Sequence, residues 1–305
     1  MAKGDKKHPE TIPETIGRTM RAAYTAERDF GGKEIVKAGE LVEASFAGGS
    51  APSLAARKVL ALLIGKAAGD AWKPGSHTIT KRELRGSHES NDRLPAVLDE
   101  LMAVKIKLET ISKRGRHAVL TATLVAWNIE ETDEDDASVI EWEFTEPCRR
   151  VLEGSDYYAR MNRAAVLSFR SKYAITLYEM GALLSGRHEP RWHGTVAAFR
   201  EKLGIEPGIY RDWTGLRQKV LEQAKAEIDQ IAHFTLTWRE KRQGLKVIEI
   251  ELWFWRKDAA GVNAAADELN RPRVGRKARR EGNAEQIVEP PALTASAYLD
   301  DEIPE

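Results

Sequence analysis

The chain has 305 residues, 42% hydrophobic and 31% charged, which at about 100–200 residues per domain is apolar material for two domains with real cores. A single cysteine, Cys148, excludes an intramolecular disulfide framework and any multi-cysteine zinc or iron–sulfur site. Lys+Arg and Asp+Glu number 47 each, and that zero balance by itself offers no electrostatic reason for a nucleic-acid partner.

Residues 1–37 are polar and weakly periodic and read as a flexible arm with a short helix near Ile16 to Ala26. No apolar stretch follows the basic opening MAKGDKKHPE, as a secretory signal would require. The longest apolar run, Val59 to Ile64, is far short of the roughly 20 residues of a membrane span. The expectation is a soluble, cytoplasmic protein. From Ser53, a plausible N-cap after Pro52, the apolar spacing becomes helical through Leu54, Leu60, Leu63 and Ile64. Thr80 caps a short second helix, Lys81–Arg85, and Ser90 or Asn91 opens a third carrying Leu94, Leu98, Leu101 and Met102. The period then changes to two, with Ile106 and Leu108 on one strand and Ala118, Leu120, Ala122, Leu124 and Ala126 on the next. The basic turn 112–117 between them contains Gly115. Three helices followed by a hairpin is the order of a winged helix.

The acidic stretch Glu130–Asp136 reads as an exposed loop, VIEWEF (139–144) as a strand, and Thr145 as the cap of a helix around Cys148–Leu152. The plan then repeats. Tyr173, Leu177, Met180 and Leu184 share a helical face, and Trp192 and Thr195 precede a short helix ending in LGI (203–205). After the turn Glu206-Pro207-Gly208 a long helix is expected over 209–231, then strands His233–Arg239 and Lys246–Trp255 joined through Gly244. Two copies of one supersecondary plan are the strongest internal signal. The reading is therefore α+β: a flexible arm (1–37), an N-terminal winged helix (38–150), a C-terminal winged helix (151–257) and a disordered tail (258–305).

Charge is uneven along this plan. Residues 38–129 carry 13 Lys+Arg against 9 Asp+Glu, and residues 169–257 carry 16 against 11. Residues 130–144 carry 8 acidic and no basic residues, and 258–305 carry 10 acidic against 6 basic. Screening limits attraction to the local patch, so two basic blocks permit a DNA partner without proving one; ordinary solvated surfaces have the same numbers. In a helix-turn-helix the second helix offers its outward face to base edges. On a wheel of about 100° per residue, Leu216, Val220, Trp213, Ala224, Ile228 and Leu221 share one arc. Arg211, Gly215, Gln218 and Lys219 oppose it, with Thr214 at the margin. Arg pairs guanine and Gln pairs adenine in bidentate fashion, and Gly215, which costs about 1 kcal/mol inside a helix, would let the backbone approach DNA. A solvated face with an incidental glycine fits the same pattern. Arg217 falls towards the core, where internal pairing is the simpler role. Lys241, Arg242 and Lys246 in one hairpin tip, and Lys113, Arg114 and Arg116 in the other, sit where a wing touches phosphate or the minor groove.

No P-loop sequence occurs, and the seven histidines include neither H-x-H nor H-E-x-x-H. Tyr157-Tyr158 and Tyr173/Tyr178 read as core or interface aromatics, and Cys148 as a small buried hydrophobe. Nothing points to catalysis, a metal or a cofactor.

FRSKYAITLYEM (169–180), FREKLGI (199–205), Tyr210, LRQKVLEQAKAEID (216–229) and GLKVIEIEL (244–252) resemble the iteron-binding plasmid replication initiator family, built from two winged-helix domains. LDELMAVKI (98–106) agrees more loosely, and the acidic loop and the tail have no counterpart. The resemblance implies binding of double-stranded origin DNA at direct repeats as a monomer, and repression of the protein's own gene as a homodimer on an inverted repeat. It places base readout on 209–219 and the 240–246 wing, adds Arg200 and Lys202 of FREKLGI to the DNA contacts, and places backbone contacts and dimerisation in 40–150. Activation would be a dimer–monomer shift, origin opening would follow from DNA bending at about 1–6 kcal/mol per site, and host replication proteins would supply helicase and polymerase. Against this stand a winged-helix repressor without initiation activity, a nickase or primase lacking its expected motifs, and a protein-interaction module whose outward helix face is inert.

Overall fold

The computed structural model describes residues 12, 15–46, 51–85, 91–112, 114–133, 135 and 137–282. The first departure from expectation is at the polar opening. Arg18–Phe30 form helix α1, ended by Gly31 in the left-handed region (φ 56), and Glu34–Ala38 form strand β1. Ile16, Met20, Ala23 and Tyr24 are buried, so the apolar stripe of this segment belongs to the core and 18–37 is no arm. The helix expected near Ile16 to Ala26 is present and longer. Its start is tied down by hydrogen bonds from the Gly17 N–H to the Glu153 carbonyl (2.7 Å) and from the Arg18 N–H to the Asp156 carboxylate (3.0 Å).

Next come α2 (Gly39–Glu43), β2 (Ser45–Phe46) and α3 (Leu54–Ala67), whose cap Ser53 accepts the Ala56 N–H. β3 (His77–Thr80) leads into α4 (Lys81–Arg85) through a reciprocal box: the Thr80 hydroxyl accepts the Glu83 N–H at 3.1 Å, and the Glu83 carboxylate accepts the Thr80 N–H at 3.2 Å. α5 (Leu94–Ala103) starts later than expected, with Pro95 in its first turn; the Asn91 carbonyl accepts the Leu94 N–H, and Ser90 lies outside the described residues. The hairpin β4 (Lys105–Ile111) and β5 (His117–Thr123) follows, but the strand expected over 118–126 is two. At Leu124 and Val125, consecutive and both buried, the alternation inverts and the chain leaves β5 for β6 (Val125–Glu130) in another sheet. β7 (Val139–Phe144) and the Thr145-capped α6 (Glu146–Gly154) complete this half. Its two three-stranded sheets have the orders β2-β4-β5 and β3-β7-β6. The acidic loop is anchored by charge: the buried Lys81 pairs with Glu130 at 2.9 Å.

β8 (Tyr158–Asn162) pairs antiparallel with β1, Glu34 opposite Asn162 and Ala38 opposite Tyr158. A boundary at 150/151 therefore separates two strands that the sheet joins. α7 (Arg163–Ser168) precedes α8 (Lys172–Leu184), capped by Ser171. Ala174, Ile175, Leu177, Tyr178 and Met180 of α8 are all buried, because α8 lies between the two halves, touching α2 and α3 on one side. Gly181 is required there: a Cβ would lie 2.2 Å from the Phe234 ring. β9 (Arg191–Thr195), α9 (Val196–Leu203), α10 (Trp213–Leu216), a π-helical turn over Arg217–Leu221, α11 (Glu222–Ile231), β10 (Phe234–Gln243) and β11 (Lys246–Arg256) form the second winged helix, its sheet ordered β10-β11-β9. The tail expected to be disordered begins with α12 (Ala259–Asn270), which buries Ala265 and Glu268 and packs on α11 and α7. Residues 271–282 carry α13 (Arg276–Arg280); 283–305 lie outside the described residues.

Candidate nucleic-acid interface

The second helix-turn-helix is built from short-range chemistry. Thr195 caps α9 by accepting the Ala198 N–H at 3.1 Å, and Gly204 ends it at φ 62. The turn that follows holds a strained residue, Tyr210 at φ 48, a conformation that L-residues with side chains rarely adopt. Arg200 holds it there, donating from Nη1 to the Tyr210 carbonyl at 2.8 Å and from Nη2 to the Ile209 carbonyl. Asp212 then caps α10 by accepting the Gly215 N–H at 2.7 Å. The second helix of this unit thus spans 213–231 rather than 209–231, because the αL turn and the Asp212 cap end the loop at 212. Arg211 stands in that loop, exposed, ahead of the helix.

The buried face matches the wheel: Leu216, Val220, Leu221, Ala224, Ile228 and Ile231 enter the core. Val220 and Leu221, at the two margins of that arc, are both fully buried within the π-helical turn. Thr214, Gln218 and Lys219 are exposed and Gly215 half-buried, its Cβ position facing only the Asp212 carboxylate at 3.5 Å. Arg217 is half-buried and pairs with Glu222 at 3.3 Å. Glu222 and Gln223, also exposed, extend the outward face by another turn beyond the expected residues. The helical periodicity already contained them.

The hairpin tip turns at Gly244 (φ 58), and Leu245 there is 97% exposed. Lys241 and Arg242 project on this wing but pair with Glu249 (2.9 Å) and Glu240 (2.5 Å). The Lys241–Glu249 pair is exposed on both sides, and such pairs are worth about 0–1 kcal/mol, little hindrance to exchange for a phosphate; Glu240 is more enclosed. Burial would raise the Glu240 carboxyl, but hydrogen bonding and the positive charges of Arg242 and Arg217 hold it below the ordinary carboxylate range. Lys246 is exposed next to the tip. In the other hairpin Arg114 and Arg116 are exposed beside Gly115 (φ 72), and Lys113 lies outside the described residues.

Two expected residues are half-buried and committed to backbone carbonyls. The Lys202 ammonium donates to the Val42 carbonyl at 2.7 Å, inside the contact with the N-terminal half, and burial pushes its pKa down to about 8. Arg200 is spent on the Tyr210 turn. A basic heptapeptide cannot show from sequence which of its cations turns inward. Cys148 is buried, its thiol pushed up to about 12 by desolvation. Among the described residues no cluster of three or more His, Cys, Asp or Glu could hold a metal, and no helix is long and apolar enough to cross a membrane.

Comparison with known proteins agrees with this architecture. The family model described as Initiator Replication protein, WH1 matches residues 34–181, and that described as Initiator Rep protein, WH2 matches residues 195–254. The fold is similar to that in the crystal structure of Pi initiator protein in complex with iteron DNA, at a TM-score of 0.54 and 18% identity, covering 74% of this chain and 98% of that one. No curated protein matches the chain. With the two models together spanning well over half of its residues, the chain belongs to the initiator Rep protein family, built from two winged-helix domains.

Proposed function

We propose that this initiator binds direct repeats (iterons) of a plasmid origin as a monomer in the cytoplasm, and that a dimer of it represses its own gene. The observation that carries this is the outward face of α10–α11. Thr214, Gln218 and Lys219 stand exposed on a buried, capped helix, and Arg211 precedes it. These residue types can donate to base edges and phosphates. The wing at Lys241, Arg242 and Lys246 lies in the position from which winged helices reach the DNA backbone, and Arg114 and Arg116 repeat that position in the first half. The similar structure of the Pi initiator holds iteron DNA, which supports the same class of ligand here. Several monomers bending adjacent repeats would open the origin for host helicase and polymerase.

The test is in vitro selection of bound duplexes from a random or plasmid-fragment library, with the stoichiometry of the bound species. Enrichment of a direct-repeat unit of about 20 base pairs, two modules across two turns, bound by one monomer, supports initiation. A palindrome alone, bound only by a dimer, favours a repressor without initiation activity. A log–log salt plot with a slope near −0.9 per neutralised phosphate is expected; a flat plot removes phosphate anchoring.

A further inference from the structure

The seam between the two winged helices holds a small pocket of about 30 Å³ lined by Lys37, Arg57, Lys202 and Glu179, among others. Three basic residues and one acidic residue thus line it. Lys37 and Glu179 satisfy each other at 2.8 Å, both buried. Arg57 on α3 is only 7% exposed. It donates from Nε to the Pro52 carbonyl (3.1 Å) and lies over the Phe46 ring (5.1 Å), and its Nη2 is buried with no acceptor among the described residues. Lys202 on α9 reaches the Val42 carbonyl. The other carboxylates close enough to be felt are committed elsewhere: Glu43 accepts the Tyr157 hydroxyl (2.8 Å), and Glu100 accepts the backbone and hydroxyl of Ser53.

Burial is tolerated for charges that are paired, and an arginine cannot escape by losing its proton. A water molecule fits in such a volume, which needs only about 10–15 Å³, and would accept the orphan N–H, but it would leave the charge excess in place. Phosphate esters and carboxylate metabolites are too large. We propose that the seam is a binding site for a small monovalent anion of chloride size, held between the Arg57 guanidinium and the Lys202 ammonium. Because Arg57 belongs to the first winged helix and Lys202 to the second, the bound anion ties the two together.

Crystals of the full chain grown without halide and soaked in bromide provide the direct test. An anomalous peak in the cavity, between Arg57 and Lys202, is expected; an ordered water there, or bromide only at other positions, overturns the proposal. In solution, each tenfold rise in chloride at constant ionic strength should raise Tm by about 2–5 °C once the site is filled. Arg57→Met should remove that increment while leaving any general salt effect. An identical chloride response in the native protein and the variant would also overturn the proposal. If Arg57→Met does not fold, the bromide experiment on the native chain decides alone.

Discussion

α5 and the α10–α11 helix hold the same place in two copies of one plan, yet present different chemistry. The exposed residues of α5 are Pro95, Ala96, Asp99 and Ala103, none of which donates to a base edge and one of which repels phosphate. The exposed residues of the second helix include Thr214, Gln218 and Lys219. The sheets differ as well. In the second copy the strand before α9 pairs with the wing strand β11, so helix-turn-helix and wing share one sheet. In the first, β3 pairs with β7, while the wing β4–β5 pairs with β2. Repeating a backbone plan does not repeat its chemistry: the outward side chains and the strand that closes the sheet set what each copy presents to solvent.

The largest expected effect tests whether the second helix is a rigid platform. Leu216→Ala, at a fully buried position, should cost about 2–5 kcal/mol, seen as a lower denaturant midpoint; a loss below about 1 kcal/mol would mean that the helix is not anchored as described. The asymmetry of readout comes next. Gln218→Ala should relax preference at one base-pair position by about 1–3 kcal/mol, whereas Asp99→Ala should leave every base preference unchanged. Titration of base-substituted duplexes measures both, and a specificity change with Asp99→Ala would break the contrast. Arg211→Ala and Lys219→Ala should weaken binding without unfolding the protein; unchanged affinity in both would remove that face from the interface. The two wings can be compared through salt dependence. Replacing Lys241 and Lys246, or Arg114 and Arg116, by alanine should flatten the log–log slope by about 0.9 for each phosphate that is no longer neutralised.

A pH dependence in the second copy is a separate test, of stability rather than binding. His233, beside the Ser185 hydroxyl at 3.4 Å, is held down to about 4 by burial first and then by the charges of Arg256 and Lys257. The unfolded chain, with an ordinary histidine, binds the proton more readily between about pH 4 and 6.5. Stability from this group is therefore full above pH 6.5 and lost as pH falls towards 4, with a slope of at most about 1.4 kcal/mol per pH unit. His233→Gln should flatten that part of the stability curve, and an unaltered curve would show that another group titrates there.

What was legible in the sequence was local. Ser53, Thr80 and Thr145 cap helices at the positions their side chains suggest, Thr195 precedes α9 as expected, and period changes locate both wings. What escaped depends on distant partners or on a break in periodicity. β1 reads as a polar arm because its partner β8 is far away in sequence. Lys81 gives no sign that it anchors the acidic loop. The split at Leu124–Val125 shows in the sequence only as two successive apolar positions, and nothing in the periodicity marks the π-helical turn. Lys202 is written among basic surface residues and spends its charge inside.

The β1–β8 ladder also sets an order of events during synthesis. The backbone groups of 34–38 have no ladder partner until 158–162 have left the ribosome, so the first winged helix of the nascent chain stays unfinished through all of its own helices and hairpins. A chain halted near residue 150 would hold Ile35 and Val36 beside an open strand edge, the kind of edge that recruits other chains. Emergence of Asn162 from the ribosome is then the moment at which this protein becomes safe to release.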